Sequence, residues 1–117
     1  GFVREFAAST LAQPVPQTFF ETIVQENLKV PAFVWRATFE GLMADDSFGE
    51  LHTIKAPTLI IWGDQDTILA ISDQEALAAA IPGSRLVVYA GAGHAFYWEK
   101  PDHVASDLVA FIEALDT

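Results

Sequence analysis

Two short loops carry the side chains with the most chemistry in them. Gly63-Asp64-Gln65-Asp66 follows one β-favouring run, and Gly91-Ala92-Gly93-His94 follows another. A carboxylate that accepts the Nδ1–H of a histidine fixes the ring's tautomer and leaves Nε2 free to act as a base. Asp66 and His94 are 94 − 66 = 28 residues apart, about one helix plus one strand. If the two strands are neighbours, roughly 5 Å apart, the loops meet on one rim and the pair can form. The simpler reading is open beside it: Asp64 and Asp66 could both be turn formers or helix caps. His52 and His103 lie outside these loops and read as structural or solvated. Without cysteine or a His-x-x-x-His pair, three scattered histidines give no zinc site. Gly91-Ala92-Gly93 lacks the third glycine and the strand-to-helix context of a dinucleotide fingerprint. Neither a metal nor a cofactor is expected.

These loops need elements to hold them. Thr58-Leu59-Ile60-Ile61-Trp62 and Arg85-Leu86-Val87-Val88-Tyr89 are continuous β-favouring runs, as expected of strands covered on both faces. Between them Ser72 and Glu75 suggest a capping box opening a helix through Ala80, closed by Ile81-Pro82-Gly83. A last helix starts near Pro101 and is expected to turn Val104, Leu108, Phe111, Ile112 and Leu115 toward a core. The order strand, helix, strand, helix implies parallel strands joined by a crossover.

The first half is helical by pattern. Gln13-Pro14-Val15-Pro16 reads as a connector, and Thr18 with Glu21 suggests a capping box for a helix over about 18–29. A second helix is expected over about 31–43, with the stripe Ala32, Trp35, Phe39 and Leu42. Phe33, Val34 and Met43 widen that face, which reads either as burial on two sides or as a wall facing a cavity. Residues 44–57 form a polar connection, with Leu51 and Ile54 docking a single turn.

Composition bounds the function. The chain has 117 residues, 51% of them apolar, enough for one domain with a real core. Six Lys+Arg against 16 Asp+Glu give a net charge of −10, which argues against nucleic acid or an anionic membrane surface as a partner. No apolar run approaches the roughly 18 residues of a membrane span. A soluble, cytoplasmic domain is the expectation. Two strands make a poor parallel sheet, and the chain opens on Gly1 with Met43 as its single Met, so we expect one end of a larger α/β protein.

The run Pro57 to Asp66, followed by Gly91-Ala92-Gly93-His94 and then Glu99 and Pro101, resembles the C-terminal part of an α/β-hydrolase. The likeness covers residues 51–117 as a β-α-β-α part of the core. Residues 1–50 comprise a helical segment resembling the end of a cap or lid, and a connector. The resemblance implies that Asp66 rather than Asp64 is the triad acid and that His94 is the base. Trp62, Phe96 and Trp35 become candidates for a substrate pocket, while Phe96, Tyr97 and Trp98 either line an acyl site or pack beneath the last helix. Glu99 matches a family position, but a helix N-terminus explains a negative charge there without chemistry. Ala70 stands where many relatives have proline.

One feature of the family is missing from the sequence. None of Ser9, Ser47, Ser72, Ser84 and Ser106 lies in a Gly-x-Ser-x-Gly elbow. Acid and base without nucleophile or oxyanion donors imply a chain inactive alone. An upstream Ser would make the whole a hydrolase of an ester or similar small-molecule substrate. An upstream Asp would suit a dehalogenase or epoxide hydrolase, and lyases and cofactor-free haloperoxidases share the C-terminal pattern. A non-catalytic binding module is the remaining alternative. A two-strand remnant exposes sheet edges and apolar faces, so the chain should self-associate or pair with an N-terminal half. Sedimentation at micromolar concentration should show more than monomer; a clean monomer would contradict the first of these.

Overall fold

The two β-favouring runs become parallel neighbours. In the computed structural model, which describes residues 1–116, β1 (Leu59–Gly63) pairs with β2 (Arg85–Tyr89) from Leu59↔Arg85 to Gly63↔Tyr89. The register is level, so both strands end at the same height and their following loops leave from one rim. The crossover helix α4 (Ile71–Ala80) packs on both strands. Helix α6 (Pro101–Leu115) follows the second loop, after a single helical turn α5 (Phe96–Glu99) that the sequence pattern did not anticipate.

The helical half comprises α1 (Phe2–Ser9), α2 (Gln17–Leu28) and α3 (Ala32–Ala44), with a 3₁₀ segment (Ser47–Thr53) leading to β1. Helix α1 lies ahead of the Gln13–Pro16 connector, in a stretch for which no separate helix was expected. It earns its place tertiarily: Ala7 packs with Ile23 and Val24 of α2, flanked by Val3, Phe20 and Trp98. Arg4 donates two hydrogen bonds to Glu21, at 2.8 and 2.7 Å. Those bonds hold the Glu21 carboxyl below its ordinary value. They also replace the expected Thr18–Glu21 capping box: α2 begins at Gln17 behind Pro16, with no side-chain cap. A guanidinium offers a carboxylate two charged donors, and one backbone N–H cannot compete.

The second expected capping box shifts by two residues. Ala70 precedes α4, Ser72 is already inside it, and Asp73 rather than Glu75 reaches back to the Ala70 N–H at 3.4 Å.

Two burial expectations are corrected. In α3 no residue is buried, and Phe33 (72%) and Met43 (84%) stand exposed. In α6 Leu108, Ile112 and Leu115 are exposed rather than turned to a core, and Val88 of β2 is half exposed. Amphipathic periodicity says which face is apolar, and a second layer must be present to cover it. Among the described residues that layer is absent over these faces.

Tyr89 closes β2 and is 3% exposed. Its hydroxyl donates to Asp107 of α6 at 2.5 Å, and its ring stacks on His103. Burial, and then the bond to Asp107, pushes the phenol up to about 12. A proton held more tightly in the folded state stabilises below the unfolded value of 10.0, and that contribution is lost as pH rises through about 12. Alkaline titration of tyrosinate absorbance should therefore show one of the two tyrosines ionising late, and Tyr89→Phe should remove that late step.

Candidate active site

The rim above the two strands is tightly sewn. The Asp64 N–H donates to the Tyr89 carbonyl at 3.0 Å, and the Gln65 N–H donates to the Ala92 carbonyl at 2.9 Å. In return Asp64 Oδ1 accepts the Gly91 N–H at 2.8 Å. Gly63 lets the loops come this close, because a Cβ there would sit 2.7 Å from the Ala92 carbonyl carbon. Gly91 takes the positive φ of 75° that the turn requires.

With the loops joined, Asp66 and His94 meet. His94 Nδ1 lies 2.9 Å from Asp66 Oδ2. The other carboxylate oxygen accepts the N–H groups of Ile68, at 2.7 Å, and Leu69, at 3.0 Å. Asp66 is thus both a turn former and a histidine partner, so the two readings of its sequence position are compatible. Its side chain is 3% exposed against 33% for His94. Burial alone would push the Asp66 carboxyl up. The Leu69 and Ile68 amides and His94 together outweigh it and hold the group below its ordinary value. The aspartate is an oriented, ionised acceptor, and His94 retains a partly open ring.

A cavity of about 140 Å³ opens beside His94. Tyr97 and Trp98 line it next to the histidine, and Phe6, Ile23 and Asn27 line it from α1 and α2. Trp62, Phe96 and Trp35 do not line this space. Trp62 is buried in β1, and its Nε1–H donates to the Leu69 carbonyl at 3.0 Å, bracing the turn that Asp66 organises. Phe96 packs edge-on between Tyr89 and Tyr97. Trp35 lies among Phe2, Phe6 and Phe39, its Nε1 without a hydrogen-bond partner among the described residues. His52 and His103 sit apart, on the Gly49 carbonyl and on Tyr89 and Asp107 respectively. Among the described residues no three His, Asp or Glu gather as metal ligands would, and no helix is long and apolar enough to cross a membrane.

Residues 9–101 match the family model described as the alpha/beta hydrolase fold. The chain belongs to that family. Monoacylglycerol lipase abhd6-B of Xenopus laevis is 31% identical over 107 residues, which are 88% of this chain and 32% of the relative. A non-heme haloperoxidase of Rhodococcus erythropolis is 36% identical over 83 residues, 68% of this chain and 30% of the relative. An esterase of Exiguobacterium antarcticum superposes with a TM-score of 0.88 at 21% identity, over 95% of this chain and 41% of that one. At that identity the likeness speaks to the fold. The chain spans about a third of the length of the curated relatives it matches.

Within this hydrolase-fold chain, three parts of the site escaped the sequence reading. Asp64 ties loop to loop. Asn27 reaches the cavity from a helix far away in sequence. Glu99 bonds to backbone instead of serving a helix N-terminus. Ala70 needs no proline, since its φ of −83° is close to the value a proline ring would impose.

A group whose folded value is depressed stabilises above its unfolded value, and the contribution is lost as pH falls through the folded value. The gap in melting temperature between wild type and Asp66→Asn should therefore narrow as pH drops below 3.8, the unfolded value. Thermal melts across acidic pH check this, and a gap that stays constant there would contradict it.

Proposed function

We propose that this chain supplies the acid and base of a nucleophile–His–Asp triad in a hydrolase of small esters, with monoacylglycerol-like esters as the substrate class. The observation that carries the reading is the 2.9 Å bond between His94 Nδ1 and Asp66 Oδ2 at the level ends of two parallel strands. With Nδ1 held by the carboxylate, Nε2 takes the proton of a serine hydroxyl as its oxygen attacks the ester carbonyl. The imidazolium then gives that proton to the departing alcohol. In the second half His94 takes a proton from water as its oxygen attacks the acyl-serine carbonyl, and the imidazolium returns that proton to the serine oxygen as the carboxylic acid leaves. The buried Asp66 carboxylate stabilises the imidazolium in both halves without itself taking the proton.

The nucleophile and the oxyanion donors are proposed to come from a segment outside these 117 residues. Residues 1–50 then act as the cap-like part above the site, in an enzyme that needs no cofactor and works in the cytoplasm. The exposed apolar faces of α3 and α6 support pairing with that segment. The likeness to a monoacylglycerol lipase supports the ester as substrate. A haloperoxidase-type activity on the same acid and base is the second reading, favoured by the 36% identity to the Rhodococcus protein.

The chain alone should give no acylation burst with an activated ester. Combined with a nucleophile-bearing N-terminal segment, it should hydrolyse the ester. His94→Ala should abolish the gained activity, and Asp66→Asn should lower kcat by on the order of 10³–10⁴-fold. Burst acylation by the chain alone, or full activity in the His94→Ala complex, would overturn the proposal. Oxidative halogenation in place of ester hydrolysis would select the second reading.

A further inference from the structure

Besides Asp66 and Asp64, a third carboxylate reaches the loop that carries His94. Glu99 ends α5, and its Oε2 accepts the Ala12 N–H at 2.9 Å. Both of its oxygens share the Gly93 N–H, at 3.1 and 3.2 Å. Ala12 lies 87 residues away, in the connector between α1 and α2, and Gly93 immediately precedes His94.

Two further bonds close the same junction. The Ala95 N–H donates to the Thr10 carbonyl at 2.8 Å, and Gln13 Nε2 donates to the Gly91 carbonyl at 2.9 Å. His94 is therefore flanked by two anchored amides, Gly93 bound by Glu99 and Ala95 bound by Thr10. The fit is close: a Cβ on Gly93 would lie 2.7 Å from the Ala12 nitrogen and 2.9 Å from Glu99 Oε2.

We infer that Glu99 is a positioning residue for His94, a strut that fixes the backbone before the base against the connector of the cap-like helices. An ionised carboxylate suits the task because it can accept from two amides at once, with charge-assisted bonds that a neutral acceptor would weaken. The consequence is mechanical coupling. A displacement of α1 and α2 pulls on Ala12 and Thr10, and through Glu99 and Ala95 it turns the imidazole relative to Asp66. The catalytic importance of this strut rests on the reading of His94 as the base, but its test needs no turnover.

The test is proton NMR of the folded chain, following the His94 Nδ1–H that bridges to Asp66. Glu99→Ala should shift this resonance and speed its exchange about tenfold or more, the order expected for loss of hydrogen bonds to a charged group. Glu99→Gln keeps one acceptor oxygen and should fall between Glu99→Ala and wild type. Ser84→Ala, which removes the hydrogen bond to the Ala78 carbonyl at 3.0 Å, away from α1, α2 and the His94 loop, is the control for general destabilisation and should leave the resonance in place. If Glu99→Ala does not fold, Glu99→Gln carries the test. An unmoved His94 signal in a folded Glu99 variant, or an equal shift in Ser84→Ala, overturns the inference. A signal that responds to Glu99 while the complemented enzyme shows no ester hydrolysis would sink the proposed function and leave the strut standing.

Discussion

Gly63 faces Tyr89 across a parallel ladder, and the candidate site depends on that pairing. Neighbouring strands lie roughly 5 Å apart, so two loops leaving from level ends are within side-chain reach of each other. Had one strand slipped by one residue, its side chains would have moved to the other face of the sheet. A slip of β1 would displace the indole that braces the Asp66 turn, and a slip of β2 the phenol that anchors α6. The register thus does two things at once. It brings Asp66 to His94, and it sets the aromatic supports beneath them.

The acidic residues illustrate how one functional group takes different roles from its surroundings. Asp64 accepts an amide across the loops, Asp73 accepts the amide at the start of α4, and Glu99 bridges two distant backbone segments. Asp66 pairs with a histidine through one oxygen while two amides hold the other. Its ionised form is favoured because three donors converge on a carboxylate that is otherwise buried. A net charge of −10 is therefore not only a solvated surface. Part of it is structural, spent on backbone N–H groups in loops that have no ladder of their own.

The helical half contributes less core than its apolar content suggests. Ala7, Ile23 and Val24 form a small cluster under Trp98, and the rings of Phe2, Phe6, Trp35 and Phe39 stack beside it. Beyond these, α3 and the outer side of α6 present apolar side chains to solvent. The cavity beside His94 lies between this half and the strand rim, so its walls come from both. Such an arrangement makes the space near the histidine sensitive to how α1 and α2 sit, which the bonds at Thr10, Ala12 and Gln13 govern.

Much of this was readable from residue types and spacing. Continuous β-favouring runs of five residues marked both strands to within one residue, because a parallel strand needs no polar alternation. A 28-residue separation, about one helix and one strand, allowed an Asp66–His94 pair and left a turn or cap role open as well. The resemblance to a hydrolase then chose Asp66 over Asp64, which local spacing cannot do. Other features had no local signature. Helix α1 is held by contacts with α2, and Glu21 left its expected cap for Arg4, 17 residues away. Glu99 serves an amide 87 residues distant. Trp62 turned inward, while Tyr97 and Trp98 turned to the cavity. Periodicity and spacing report forces that act within a few residues, and these follow the backbone wherever it goes. Partners that compete for the same carboxylate or the same apolar face are brought together only by the folded chain, and there the stronger bond wins.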